Sequence, residues 1–253
     1  MQQETSQREG PAVAARGLTK IYGAGEARVL ALDSVDVDFA AHCFTAIMGP
    51  SGSGKSTLLN LLAGLDTPTS GWVQLGGKVL TGLSDNVLTA WRRRHVGFVF
   101  QNFNLLPMLT AAQNIRLPLD LAGEPVDPEW WDTVVDALAL RDRLSHRPSE
   151  MSGGQGQRVA LARGLITRPD VIFADEPTGN LDTRSGFEVL SFLRQSVREL
   201  GQSVVMVTHD PAAAAYAERV VLLADGRLAG EILHPTKESV LGALDELTTV
   251  VKV

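Results

Sequence analysis

Gly49-Pro-Ser-Gly-Ser-Gly-Lys55-Ser56 fits the spacing G-x-x-x-x-G-K-[ST], directly after the strand-like FTAIM and before the helix-like TLLNLLAG. Both the spacing and the strand-then-helix context constrain the fold. Gly49, Gly52 and Gly54, with Pro50, Ser51 and Ser53 between them, let backbone amides turn inward around phosphate oxygens. The helix expected to begin at Thr57, right after Lys55 and Ser56, adds its partial positive charge. In such a loop the Lys55 amine reaches the β- and γ-phosphates and the Ser56 hydroxyl ligates Mg²⁺.

The rest of the chain is read around this loop. Short strand-like runs lie between residues 13 and 48, then WVQL and KVL flank Gly76-Gly77. Residues 85–165 carry the helical patterns NVLTAWRRR, LTAAQNIRLPLDLA and PEWWDTVVDALAL around the strand-like VGFVF. Asp127-Pro128 is a good cap and first turn for the last of these helices. Beyond 165, the near-continuous apolar runs VIFAD and SVVMVTH alternate with the helical SGFEVLSFLRQSVREL and PAAAAYAERV, which implies βαβ units and a buried parallel sheet. Asp225-Gly226 between VVLLA and RLAGEIL reads as a hairpin.

Strand ends beside a phosphate loop carry chemistry. Asp175 closes VIFAD and is placed to hold the Mg²⁺ shell, with Glu176 next to it placed to polarise an attacking water. His209 closes SVVMVTH on the expected ligand edge of the sheet and is set to reach the γ-phosphate. Gln101 follows VGFVF, where its amide oxygen is a candidate to complete the metal shell.

Residues 150–164 read EMSGGQGQRVALARG. Ser152, Gly153 and Gly154 form a helix start with exposed amides, followed by Gln155, a site suited to an anion. Since residues 49–56 already hold this chain's phosphates, the second anion site is expected to grip the γ-phosphate on another copy.

Composition limits the alternatives. A net charge of −6 over 253 residues argues against a nucleic-acid surface. Cys43, flanked by apolar residues, is expected to be a buried thiol in a reducing compartment. No apolar run approaches the roughly 18 residues of a membrane span, and MQQETSQREG is no signal peptide. Any membrane role is therefore expected through a partner.

GPSGSGKST, FQ, MSGGQ, VIFADEP, GNLD and VTH, in this order, resemble the ATPase subunit of an ABC transporter over about residues 14–232. DEPTGNLD and RRRHVGFVFQNFNLLP look most like the branch of macrolide exporters, lipoprotein-release ATPases and the cell-division ATPase. The resemblance implies an α/β fold: a P-loop NTPase core with a mostly parallel sheet, an N-terminal antiparallel β subdomain and an inserted α-helical subdomain. The corresponding division is a flexible 1–12, an ATPase domain over 13–235 and a helical tail over 236–253. Within the domain, the core takes about 13–100 and 166–235 and the helical subdomain about 102–165.

The resemblance further implies two MgATP held head-to-tail between two subunits, with hydrolysis driving a separate membrane-spanning permease from the cytoplasmic face. Tyr22 matches the aromatic residue that stacks on adenine, Asp182 the loop that crosses the dimer interface, and Phe103 to Met108 the groove for a permease helix. Export of a hydrophobic, peptide or lipid-linked substrate and mechanotransmission without transport both fit the same cassette. A soluble ABC ATPase of DNA repair or translation fits less well, since the chain has one cysteine and no heptad run.

Met151, Gln113, Gly156 and Gly164 depart from the commonest pattern, and the two glycines are expected to soften their helix. The run Arg92-Arg93-Arg94 reads first as a solvated face, with lipid headgroups or a membrane partner as the alternative. Of Trp130 and Trp131 one is expected in the core with Val134, Val135 and Leu138, the other half-exposed. Leu241, Leu244 and Leu247 form the expected packed stripe of a tail helix, with the dimer interface as a candidate place for it.

Overall fold

The computed structural model describes residues 10–250. Among these, ten strands and eight helices build two sheets with helices between and around them. The first sheet is antiparallel, in the order β2 (Val29–Ala40), β1 (Pro11–Tyr22), β4 (Ser70–Leu75) and β5 (Lys78–Val79). The second runs β10 (Arg227–Leu233), β9 (Arg219–Ala224), β3 (Phe44–Met48), β8 (Val204–Val207), β7 (Val171–Asp175), β6 (Val96–Phe100). It is parallel except for β10, which pairs antiparallel with β9 across Asp225-Gly226. Both turn residues have positive φ, +46° and +74°, as a two-residue hairpin matched to strand twist requires.

Alternation along the buried strands feeds two cores. Val171 and Phe173 of β7, with Ile47 of β3, pack against α1 (Lys55–Leu62) and the antiparallel sheet. Ile172, Ala174, Ala46 and Met48 face the other way. There they meet α3 (Ala111–Ala122), α4 (Pro128–Ala137), α5 (Gly153–Leu165) and α6 (Thr183–Leu200). Helix α1 is thus clamped between two sheets with Leu58, Leu59, Leu61 and Leu62 buried, which fixes where its N-terminus points. The expected α/β arrangement is the one observed, with α3, α4 and α5 inserted between β6 and β7.

Several local expectations need correction. Of the segment expected to be flexible, residues 1–9 lie outside the described residues, while Pro11 and Ala12 already belong to β1. Helix α4 stops at Ala137, because Ala139 turns to φ +49° and lets Leu138 and Leu140 both bury. The PAAAAYAERV pattern yields a helix, α7, of Pro211–Ala214 alone. Glu218 captures the chain there: its N–H donates to the Phe44 carbonyl and its carboxylate accepts from the Phe44 N–H, both at 2.8 Å.

In the tail helix α8 (Lys237–Val250), Val240 is fully buried against the core and Leu241 is exposed, while Leu244 and Leu247 are half-buried. Neither tryptophan is fully buried. Trp130 and Trp131 both pack half-buried on the helical core, and the Trp130 indole donates to the Leu165 carbonyl at 3.1 Å. Cys43 is half-buried rather than enclosed, and burial raises its thiol pKa with help from Glu218.

The arginine run in α2 (Asp85–His95) is not a uniform solvated face either. Arg92 turns inward to the Gly64 carbonyl and Arg94 pairs with Glu124 at 2.8 Å. Gly156 and Gly164 are both buried in α5. A Cβ at 156 would sit 3.2 Å from the Phe103 ring, and one at 164 would sit 3.4 Å from the Phe98 carbonyl of β6. Gln113 forms a capping box with Thr110 at the start of α3.

Candidate active site

The loop between β3 and α1 is shaped by what presses on it. Gly49 has φ +154°, and a Cβ there would fall on the Leu223 carbonyl of β9. Gly54, at φ +97°, caps α1 where a Cβ would overlap the Ala31 carbonyl of β2. Larger residues are therefore excluded from both ends of the loop. Gly52 differs from these two. It is exposed at the tip of the loop, and a Cβ there would meet nothing within 4 Å. Only its φ of +80° calls for glycine, so the expectation that all three glycines share one role holds for backbone conformation and not for crowding.

The β9–β10 turn braces the loop from behind, with Gly226 N–H donating to Ser53 O at 3.1 Å. Ser51 and Ser56 are exposed, Thr57 is half-buried, and Ser53 is buried with no hydrogen-bond partner for its hydroxyl.

Lys55 spans the mouth of the loop and donates to the Gly49 carbonyl at 2.9 Å and the Pro50 carbonyl at 2.7 Å. Burial lowers its pKa, and the charges of Glu176 and Asp175 work against that shift. The ammonium is therefore half-dehydrated and held by neutral carbonyls, which an anionic oxygen can replace at a net electrostatic gain. Asp175 at the end of β7 has its pKa raised by burial and by Glu176, with Lys55 opposing. Lys55, Asp175 and Glu176 thus form one interacting group.

Glu176 sits at φ +47°, an unusual conformation for a glutamate, and its N–H donates to the Val207 carbonyl at 3.0 Å. Its Oε1 lies 2.9 Å from His209 Nδ1. Strand β8 ends at Val207, two residues short of the expected end at His209. Thr208 instead bonds Ile47 O, and Asp210 caps α7, so His209 stands on a loop with its side chain 75% exposed.

Tyr22 presents an exposed ring whose hydroxyl donates to Asp66 at 2.8 Å and also meets the Thr57 side chain in the first turn of α1. Burial and the Asp66 bond raise its pKa. Lys20 Nζ lies 4.8 Å from the ring centroid. An aromatic face is thereby held beside the phosphate loop.

A second group of residues gathers around the start of α5. Ser152 Oγ accepts from Gln155 N–H at 3.3 Å, and Gln155 Oε1 accepts from Ser152 N–H at 3.0 Å. Gln155 is thus one half of a capping box, a structural role its expected part in an anion site did not include. Gly153 is exposed, whereas Gly154 is buried where a Cβ would lie 2.7 Å from Ser185 Oγ. Ser185 in turn donates both its N–H, at 3.0 Å, and its hydroxyl, at 2.7 Å, to Asp182, which caps α6. The segment after β7 and the N-terminus of α5 therefore interlock within one chain.

Gln101 is exposed, and its Nε2 donates to Asn180 Oδ1 at 3.2 Å. Asn180 Nδ2 donates to Gln101 O at 3.2 Å and to Asn102 Oδ1 at 2.7 Å. Nearby, Phe103 and Asn104 both have positive φ, and the half-buried Arg163 donates to their carbonyls at 2.8 and 2.6 Å. Burial lowers the Arg163 pKa. Leu106 and Met108 leave apolar surface at this loop, 40% and 65% exposed. Asn180, Ser185 and Arg163 carry these contacts and were not singled out from the sequence; the motif GNLD includes Asn180.

The protein-family profile described as ABC transporter matches residues 32–179. A macrolide export ATP-binding/permease protein of Burkholderia pseudomallei is 44% identical over 238 residues, covering 93% of this chain and 36% of that protein. The chain thus spans about a third of the length of such relatives. An uncharacterized ABC transporter ATP-binding protein of Methanocaldococcus jannaschii is 44% identical over 85% of this chain and 97% of its own. Among solved structures, a dimeric post-hydrolysis state of the ATP-binding cassette MJ0796 bound to ADP and Pi superposes with TM-score 0.79 at 40% identity. It covers 88% of this chain and 99% of the other. The chain belongs to the ABC transporter family.

Proposed function

We propose that this chain is the ATP-binding and hydrolysing subunit of an ABC transporter, closing as a dimer on two MgATP to drive a separate membrane-spanning permease. The observation that carries the reading is the group formed by Lys55, Asp175, Glu176 and His209 beside the phosphate loop. Support comes from the dimeric cassette structures and from relatives named for both ATP binding and a permease. No helix among the described residues is long and apolar enough to cross a membrane, so the work is proposed to reach the membrane through the partner. The proposed location is the cytoplasmic face, with export or extraction of a hydrophobic, peptide or lipid-linked compound as the transport reaction.

In this reading Lys55 exchanges its two backbone carbonyls for β- and γ-phosphate oxygens. The backbone N–H groups of residues 51–57, Gly52 at the exposed tip among them, cradle the phosphates, and Tyr22 stacks on the adenine. Glu176 takes the proton of the attacking water, and the His209 contact at 2.9 Å fixes its carboxylate. The Ser152–Gly154 amides of a second copy, with Gln155 bracing Ser152, receive the γ-phosphate, and Asp182 crosses the interface. Ser56, Asp175 and Gln101 offer a hydroxyl, a carboxylate and an amide oxygen, a hard all-oxygen set that fits Mg²⁺. When bound, the ion neutralises charge on the phosphates.

Measuring ATP hydrolysis alongside a Glu176→Gln variant tests the reading. The parent is expected to hydrolyse ATP, and the variant to lose turnover and elute as an ATP-dependent dimer. Absence of ATP binding by the parent, or full turnover by the variant, would overturn it.

A further inference from the structure

Gly179 has no need of a left-handed backbone, yet a Cβ there would lie 2.7 Å from Gln101 Nε2 and 3.1 Å from its Cδ. The glycine therefore clears space for one amide head group. Its neighbour Asn180 supplies the contacts. Both Asn180 Nδ2 protons are committed, one to Gln101 O and one to Asn102 Oδ1. Asn180 Oδ1 is then an acceptor by elimination, and it must receive an N–H from the Gln101 side chain, as it does at 3.2 Å. The orientation of the Gln101 amide is thus set by the hydrogen-bond pattern, and Oε1 is the end left over for another partner.

We infer that Gly179 and Asn180 are a seat that positions Gln101, fixing its amide so that Oε1 presents to the metal of the nucleotide complex. This rests on the reading of the chain as an MgATP-dependent ATPase. Asn180 is a positioning residue that acts through Gln101. It also ties Gln101 to the segment that runs through Leu181 into the Asp182 cap of α6, so displacement of that segment releases the amide.

The test is metal affinity without turnover. In a Glu176→Gln background, Mn²⁺ is titrated into the ATP-bound protein and followed by electron paramagnetic resonance, with metal-free ATP affinity measured separately. Asn180→Leu and Gly179→Ala, both at exposed positions, are expected to weaken Mn²⁺ about tenfold, as loss of an orienting partner does, with metal-free ATP affinity unchanged. Thermal unfolding checks each variant, and if one of the two fails to fold the other decides. Parental Mn²⁺ affinity in the folded Leu or Ala variant, or in Gln101→Ala, would overturn the inference and leave the ATPase reading intact. Absence of any protein-bound Mn²⁺–ATP signal in the parent background would instead defeat the ATPase reading itself.

Discussion

Glu176 Oε1 and His209 Nδ1 are 2.9 Å apart, across two loops that leave neighbouring strands of the parallel sheet. Glu176 is held at three points: by its positive φ, by its N–H on Val207 O and by this ring nitrogen. The histidine therefore holds the Glu176 carboxylate. His209→Ala is expected to lower kcat by about 10²-fold, the low end for losing acid–base assistance, with KM for ATP within about twofold. Steady-state kinetics check this; a change confined to KM would assign His209 to nucleotide binding alone.

Asp175 illustrates a conflict between stability and use. Burial and Glu176 raise its pKa, so the folded chain holds that proton more tightly than the unfolded chain. Stability therefore falls as pH rises from the ordinary value of 3.8 through the folded value. Asp175→Asn is expected to stabilise the nucleotide-free protein at pH 7.5 by on the order of 1 kcal/mol after allowance for solvent screening. The gain should shrink toward acid pH, and hydrolysis should be lost. Denaturant melts at two pH values are the check; a destabilised variant at neutral pH contradicts the assignment.

Gly154 is buried against Ser185, so the start of α5 cannot change shape without moving the Asp182 cap. Gly154→Ala is expected to cost about 1–3 kcal/mol as an overpacked contact. Adding Ser185→Gly, which removes both clashing atoms, should recover part of that loss beyond the sum of the single effects. A double-mutant cycle on urea midpoints measures it, and strict additivity would separate the two residues.

In the tail, Val240 is fully buried and Leu241 is 42% exposed. Val240→Ala is expected to destabilise by about 2 kcal/mol, whereas Leu241→Ala should stay within about 0.5 kcal/mol. Equal effects in thermal melts would return Leu241 to the packed stripe.

The phosphate loop and the buried strands were legible because local chemistry demands them. No other residue fits Gly49 or Gly54, and the apolar runs of β7 and β8 cannot be solvated. What escaped was decided by neighbours distant in sequence. Glu218 cuts α7 short by bonding Phe44, and Val240 replaces Leu241 because α7 and β10 set the roll of the last helix. Gly179 and Asn180 make their contacts with Gln101, nearly eighty residues away, so GNLD marks the segment but not what it touches. Gln155 has a local role in the capping box with Ser152, beside its place in the expected anion site.

At the centre of the account stands a catalytic unit assembled from the phosphate loop of one protomer and the α5 N-terminus of its partner. Specific hydrolytic activity followed across a wide dilution series tests this most directly. The account predicts a rate per protomer that falls in proportion to concentration once the protein is dilute, and recovers on reconcentration. A rate per protomer that stays constant down to full dissociation would contradict it.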